Sequence, residues 1–280
     1  MLHRRTLERA SAPGQRFQGW KALPTGSKIA VVVLGLIALV ALLAPLVAPY
    51  SPKATGLAAG QSTTYIEGIG EVTSSDPVVA PSLSHLFGTD ATGRDIFSRA
   101  VYGGRVSLVV GLSATGLALA VAAVLGAVAA TARKWISEIA LAAVLVSAMS
   151  TRLPILPVII ISIAILYVPQ LTRVVRANII SQFGEDYVSA SKVMGASVPW
   201  ILAKHVARNC IAPIMVFATV LVADAIVFEA SLSFIGTGIQ SANTPTWGNM
   251  LSEGKALLLS GHWWPTFFPG LLILITSLCL

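Results

Sequence analysis

Apolar runs long enough to cross a bilayer recur along this chain, and they confine it to one class of fold. Residues 29–48 carry no charged side chain. A hydrocarbon core about 30 Å thick calls for about 20 such residues in a helix. Further apolar runs cover residues 106–130, 136–150, 153–168 and 207–228, and a last one begins near Pro265. The expected fold is therefore an all-α integral membrane protein with six transmembrane helices. Composition agrees, since 55% of the 280 residues are hydrophobic and only 11% are charged, against about 25% charged in soluble domains. The first run follows a long basic lead, and Ala48-Pro49-Tyr50 is a poor cleavage site. It reads as a retained helix rather than a signal peptide.

The polar segments orient the chain. Residues 1–28 hold six bases against the single acid Glu8, and Arg133, Lys134, Arg173, Arg176, Lys192, Lys204 and Arg208 fall in two later segments on the same side. That side takes thirteen of the nineteen lysines and arginines, which fits both termini in the cytosol by the positive-inside bias. The net charge of +7 is explained by this orientation, and nucleic acid is not expected as a partner. Residues 49–102 form an extracytoplasmic segment, expected to be irregular with a short helix near residues 93–100. His262-Trp263-Trp264 suits a membrane interface.

Chemical motifs are few. The chain lacks a Walker A sequence, CxxC and HExxH, so no catalytic residue, bound cofactor or metal site is expected. Gly103-Gly104 and Gly236-Thr237-Gly238 read as packing or loop glycines. The two cysteines, Cys210 and Cys279, lie in or beside apolar runs. Asp224 stands inside an apolar run and Glu229 near its end. Intramembrane acids are costly and face a bundle interior or water, so both are candidates for a translocation path. For Asp224 the competing readings are pairing with a base on another subunit, or a place near the membrane surface.

Three stretches stand out, in order along the chain. The first is His85-Leu86-Phe87-Gly88-Thr89-Asp90-Ala91-Thr92-Gly93-Arg94-Asp95. The second runs from Glu185-Asp186-Tyr187-Val188-Ser189-Ala190-Ser191 through Met194-Gly195-Ala196-Ser197 to His205. The third is Glu229-Ala230-Ser231-Leu232-Ser233-Phe234-Ile235-Gly236, followed by Pro245-Thr246-Trp247-Gly248-Asn249. In order and spacing they resemble the C-type permease subunit of dipeptide/oligopeptide ABC importers, over about residues 85–270.

The resemblance implies a type I ABC-importer permease architecture. Residues 103–280 form its core, and residues 181–206 form a cytosolic coupling loop that docks on an ATPase. It implies a second homologous permease, two cytosolic ATPase subunits and an extracytoplasmic solute-binding protein as partners, in the inner membrane of a prokaryote. ATP and magnesium belong to the ATPases. Related systems import nickel or other small solutes, and the residues do not separate these cargoes. An ion-coupled secondary transporter and a non-transporting scaffold are the readings from other classes. The chain departs from the family pattern where Ser189-Ala190-Ser191 replaces Glu-Ala-Ala and where Arg208 replaces a proline. The stretch between spans two and five is short, and the sequence stops inside an apolar run, so residues are expected to be missing.

Physically, Ser181, Glu185 and Asp186 favour a helix start, and Gly195 ends that helix. Val188, Val193 and Met194 are expected to form one apolar side, with Tyr187, Ala190 and Met194 buried against the ATPase. The alternative is an amphipathic helix lying on the lipid. His85, Gly88, Thr89, Asp90, Gly93, Arg94 and Asp95 read as a salt-bridged, capped turn over the pore mouth. Glu229 is expected to hold a loop at residues 231–238.

Overall fold

The computed structural model describes residues 24–57, 60–66, 70–131, 155–236, 238–239 and 244–280. Helix α1 spans Thr25–Leu42 and α2 spans Ala44–Val47. The expected single helix over 29–48 is thus divided. Pro45 sits in the first turn of α2 and has no N–H to continue the ladder from α1. A hairpin of β1 (Gly60–Ile66) and β2 (Gly70–Asp76) follows, pairing antiparallel with Thr63 opposite Thr73. The expectation of an irregular segment missed it, because its runs of Ser and Thr carry no hydrophobic alternation.

Helix α3 runs unbroken from Ile96 to Thr131, and α4 runs from Ile155 to Phe183. The short helix expected at 93–100 is the first part of α3. At about 1.5 Å per residue the 36 residues of α3 reach about 54 Å, and the apolar run at 106–130 marked all of it but the first ten residues and the last. Helix α4 continues past Pro169, although the sequence placed its end at Val168. Losing one backbone bond does not end it. Leu171, Val175 and Ile179 prolong the buried stripe begun by Ile159, Ile163 and Tyr167 at four-residue spacing.

That stripe packs on the small residues of α3. Val110, Ala114, Ala118 and Ala122 cluster with Ile159, Ile163, Tyr167 and Leu171. Further along both helices a Cβ on Gly126 would lie 2.5 Å from Val175. The two helices therefore run parallel, and Thr131 and Ile155 lie at opposite ends of the bundle. The third run, 136–150, falls outside the described residues.

Helix α5 covers Asp186–Val193, and α6 covers Val198–Ile201 with Pro199 in its first turn. A π turn, Leu202–Val206, joins α6 to α7 (Ala207–Ile235). The helix runs on through Arg208, where the family pattern has a proline. It also extends to Ile235, so residues 231–235 are helix rather than loop. Gly236, at φ +97°, ends it. Helix α7 crosses α3 in the opposite sense, with a Gly111 Cβ only 2.8 Å from Ile226. Helix α8 is Trp247–Leu259 and α9 is Trp264–Cys279. Four described helical stretches are long and apolar enough to cross a membrane, and α9 is a shorter apolar helix.

Candidate functional site

The first of the three motifs folds into a closed turn at the start of α3. Asp95 caps the helix, its Oδ2 accepting the Ser98 N–H at 2.8 Å and the Ser98 hydroxyl at 2.7 Å. Its Oδ1 lies 3.0 Å from His85 Nδ1, and the His85 ring stacks on Tyr50. Gly88 and Gly93 adopt positive φ. Gly88 is further constrained from outside, since a Cβ there would lie 2.6 Å from the Val79 carbonyl and 2.7 Å from Trp264. Thr89 accepts from the Val79 N–H and donates to the Pro77 carbonyl, both at 2.7 Å.

Asp90 is the centre of a buried ion network. Its Oδ1 accepts from the Thr92 and Arg94 N–H groups and from the Thr92 hydroxyl. Its Oδ2 accepts from Arg94 Nε and from Arg99 Nη1. Both arginines also reach Glu253 Oε2 on α8, at 2.8 and 2.7 Å. Burial raises the Asp90 carboxyl, but Arg99, Arg94 and the hydrogen bonds from Arg94 and Thr92 outweigh it. They hold the group below its ordinary value of 3.8. Neither Arg99 nor Glu253 was singled out as a site residue from the sequence. Their pairing joins positions more than 150 residues apart, and no local pattern announces it.

A second polar knot lies just below. Glu229 is fully buried. It accepts from the Ser233 hydroxyl at 2.9 Å and the Ser107 hydroxyl at 3.3 Å, and it bonds the Thr246 side chain. Ser233 in turn receives the Ile239 N–H. Thr246 and Asn249 form a capping box at the start of α8, and Trp247 Nε1 donates to the Ala100 carbonyl at 2.9 Å. Glu229 thus ties α7 to α3 and α8 inside this chain. Asp224, one and a half turns earlier, is exposed.

The remaining motif occupies the opposite end. Glu185 and Asp186 are exposed at the start of α5, and Glu185 stands at the N-cap without a side-chain cap bond. Tyr187 donates to Gln182 Oε1 at 2.8 Å and lies beside the His205 ring, which meets Trp200 edge-on. Ser191 bonds back to the Tyr187 carbonyl, while Ser189 and Ala190 are exposed. Gly195 takes φ +83° and Ala196 packs inward.

One expectation here is corrected. Val188, Val193 and Met194 do not share a side. Val188 is fully buried with Val175, Ile179 and Ile201, whereas Val193 and Met194 are 88% and 86% exposed. The reason is angular, because five or six residues on a helix of 3.6 per turn carry a side chain about 120–140° away. Among the described residues no group of three His, Cys, Asp or Glu could hold a metal ion.

Residues 107–280 match the family described as binding-protein-dependent transport system inner membrane component. The chain is 36% identical over 266 residues to the dipeptide transport system permease protein DppC of Alkalihalophilus pseudofirmus, covering 90% of this chain and 81% of that protein. It is 33% identical over 263 residues to a protein of Brucella suis biovar 1 named for a peptide transport system permease, covering 90% and 82%.

Proposed function

The chain belongs to the family of binding-protein-dependent transport system inner membrane components, and we propose that it is the permease subunit of an ATP-driven importer of di- or oligopeptides. The family match across α3 to α9 carries the reading, and the names of the relatives supply the cargo. As a permease component the chain forms half of the path, and the ATPase lies in other subunits.

The finer proposal is a six-span protein of the inner membrane with both termini cytosolic. The parallel course of α3 and α4 supports it, because Thr131 and Ile155 then lie at opposite ends of the bundle. The Asp90 end then faces outward, toward a solute-binding protein, and the Met194 end faces the ATPases. Exposed Val193 and Met194 on a short helix give a groove-binding face, the usual way a helix is held by a partner. In the proposed cycle, ATP-driven closure of two ATPases draws two such modules together. Rigid helices convert that movement into opening at the far end. A second homologous permease supplies the other half.

The test is affinity purification of the chain from detergent-solubilised membranes, with the co-purifying proteins identified. Recovery of two ATPase subunits and a second permease is expected, and recovery of the chain alone overturns the reading. Tags at residues 65 and 190 should label from opposite sides of the membrane. Labelling from one side would sink the six-span topology.

A further inference from the structure

Helix α1 is held to the rest of the bundle by a small contact. Ala41 is the one residue of α1 that the described chain buries, and Ile37 reaches the cluster of Val222, Ile226 and Trp247. Beside that contact lies a cavity of about 190 Å³ between α1, α3 and α9, with Ala41, Phe97, Ala100, Trp247 and Leu272 in its wall.

Three observations say what fills it. The first is depth. Leu272 lies eight residues inside α9 from Trp264, about 12 Å along a helix axis. Leu36 and Ala41, also in the wall, fall within the last seven residues of α1. With Trp263 and Trp264 at the interface, the cavity sits in one leaflet of a hydrocarbon core about 30 Å thick.

The second is chemistry. Among the residues of the wall the one polar side-chain atom is Trp247 Nε1, and it already donates to the Ala100 carbonyl at 2.9 Å. Water finds no partner in such a place. An apolar cavity of about 150 Å³ stays dry and takes up a molecule the size of benzene. The third is access. Leu36 belongs to the wall and is 60% exposed, so the cavity is continuous with the outward side of α1. Val32, Leu39 and Leu42 are exposed there as well.

We propose that this cavity is a binding site for one phospholipid acyl chain, which enters past Leu36 and fastens α1 to α3 and α9. The inference goes beyond the importer reading and does not depend on the cargo. An unfilled cavity forfeits the dispersion contacts of its lining, and a run of methylenes is the apolar partner present at that depth. The chain adds a layer of contact where α1 has little of its own.

Photolabelling of the full chain, purified with whatever subunits accompany it, tests this. The nanodiscs contain phosphatidylglycerol with a diazirine midway along one acyl chain, and labelled residues are mapped by mass spectrometry after illumination. Ala100 and Trp247 are each 1% exposed, so label on them does not come from the surrounding bilayer. Label is expected on both, and also on exposed Leu39. Ala41→Phe fills the cavity and should abolish the label on Ala100 and Trp247 while Leu39 keeps its own. Val40→Phe serves the same purpose if Ala41→Phe is not recovered from membranes. Label confined to exposed residues would overturn the inference, as would label on Trp247 that persists in the filled variant. So would a cross-link from Leu36→Cys to a second permease in place of lipid label, which would give the cavity to a protein helix. Labelling needs no transport, so the importer reading can fail without deciding this result.

Discussion

The Asp90 end of the bundle buries its charges, and the Met194 end exposes its apolar side chains. At the first end Asp90, Arg94 and Arg99 lie below a tenth exposure, and Trp247, Glu229 and the α8 capping box seal the helices together. At the second, α5 starts without a side-chain cap and presents Val193 and Met194 outward. The first end pairs its carboxylates with cations inside the chain, although Arg99 Nε and Nη2 stay buried without a hydrogen bond, whereas the second leaves an open apolar face. The difference separates an end tied together by ion pairs within the chain from an end that, on the proposed reading, docks on an ATPase.

The comparison breaks most readily at Arg99. Removing it by Arg99→Ala strands Asp90 beside fewer cations, and breaking a buried pair in this way costs about 3–5 kcal/mol. The melting temperature in detergent should fall sharply. A melting temperature equal to wild type would refute that tie. Gly248→Val comes next. A Cβ there meets the Ala230 backbone at 2.6 Å, and overpacking of this kind costs about 1–3 kcal/mol. Thermal unfolding should show it, with α8 loosened first in hydrogen exchange.

A smaller effect follows from pH. The Asp90 carboxyl is held below 3.8 in the folded chain. Its contribution is therefore present above that unfolded value and is lost as pH falls through the lower folded one. Acid titration of wild type against Asp90→Asn should show stability curves that converge only below pH 3.8. Convergence at neutral pH would sink the assignment.

The smallest stability effect belongs to Met194→Glu, within about 0.5 kcal/mol because the side chain is exposed. Peptide-stimulated ATP hydrolysis should nevertheless fall in that variant, and normal coupling would count against the docking face. Met194 sharpens the comparison better than Gly195. Open space surrounds a Cβ at Gly195, but its φ of +83° adds backbone strain to any substitution.

Much of the architecture was legible in the residues. The apolar runs located α1, α3, α4 and α7. The pairing of Gly195 with a helix end was readable because a positive φ is the ordinary reason for glycine there. Helix ends were misplaced wherever packing rather than composition set them, as at Phe183 beyond Pro169 and at Ile96 before the apolar stretch. The hairpin carried no period to read. In the site, Asp90, Arg94 and Asp95 were picked out by their turn chemistry, but Glu253 and Arg99 were not. Each acts through a residue distant in sequence.

By itself, then, the sequence determined a membrane-embedded helical chain, because hydropathy and length are local sums. It also determined the turns at Gly88, Gly93 and Gly195, because their residues favour those conformations on their own. Tertiary structure alone decided that α3 and α4 run parallel and that Glu253 closes the ring around Asp90. It also decided that Val188 turns inward while Met194 turns out, and that Asp224 stands exposed at mid-helix. Direction, pairing and exposure depend on which distant segments meet, and no window along the chain contains that information.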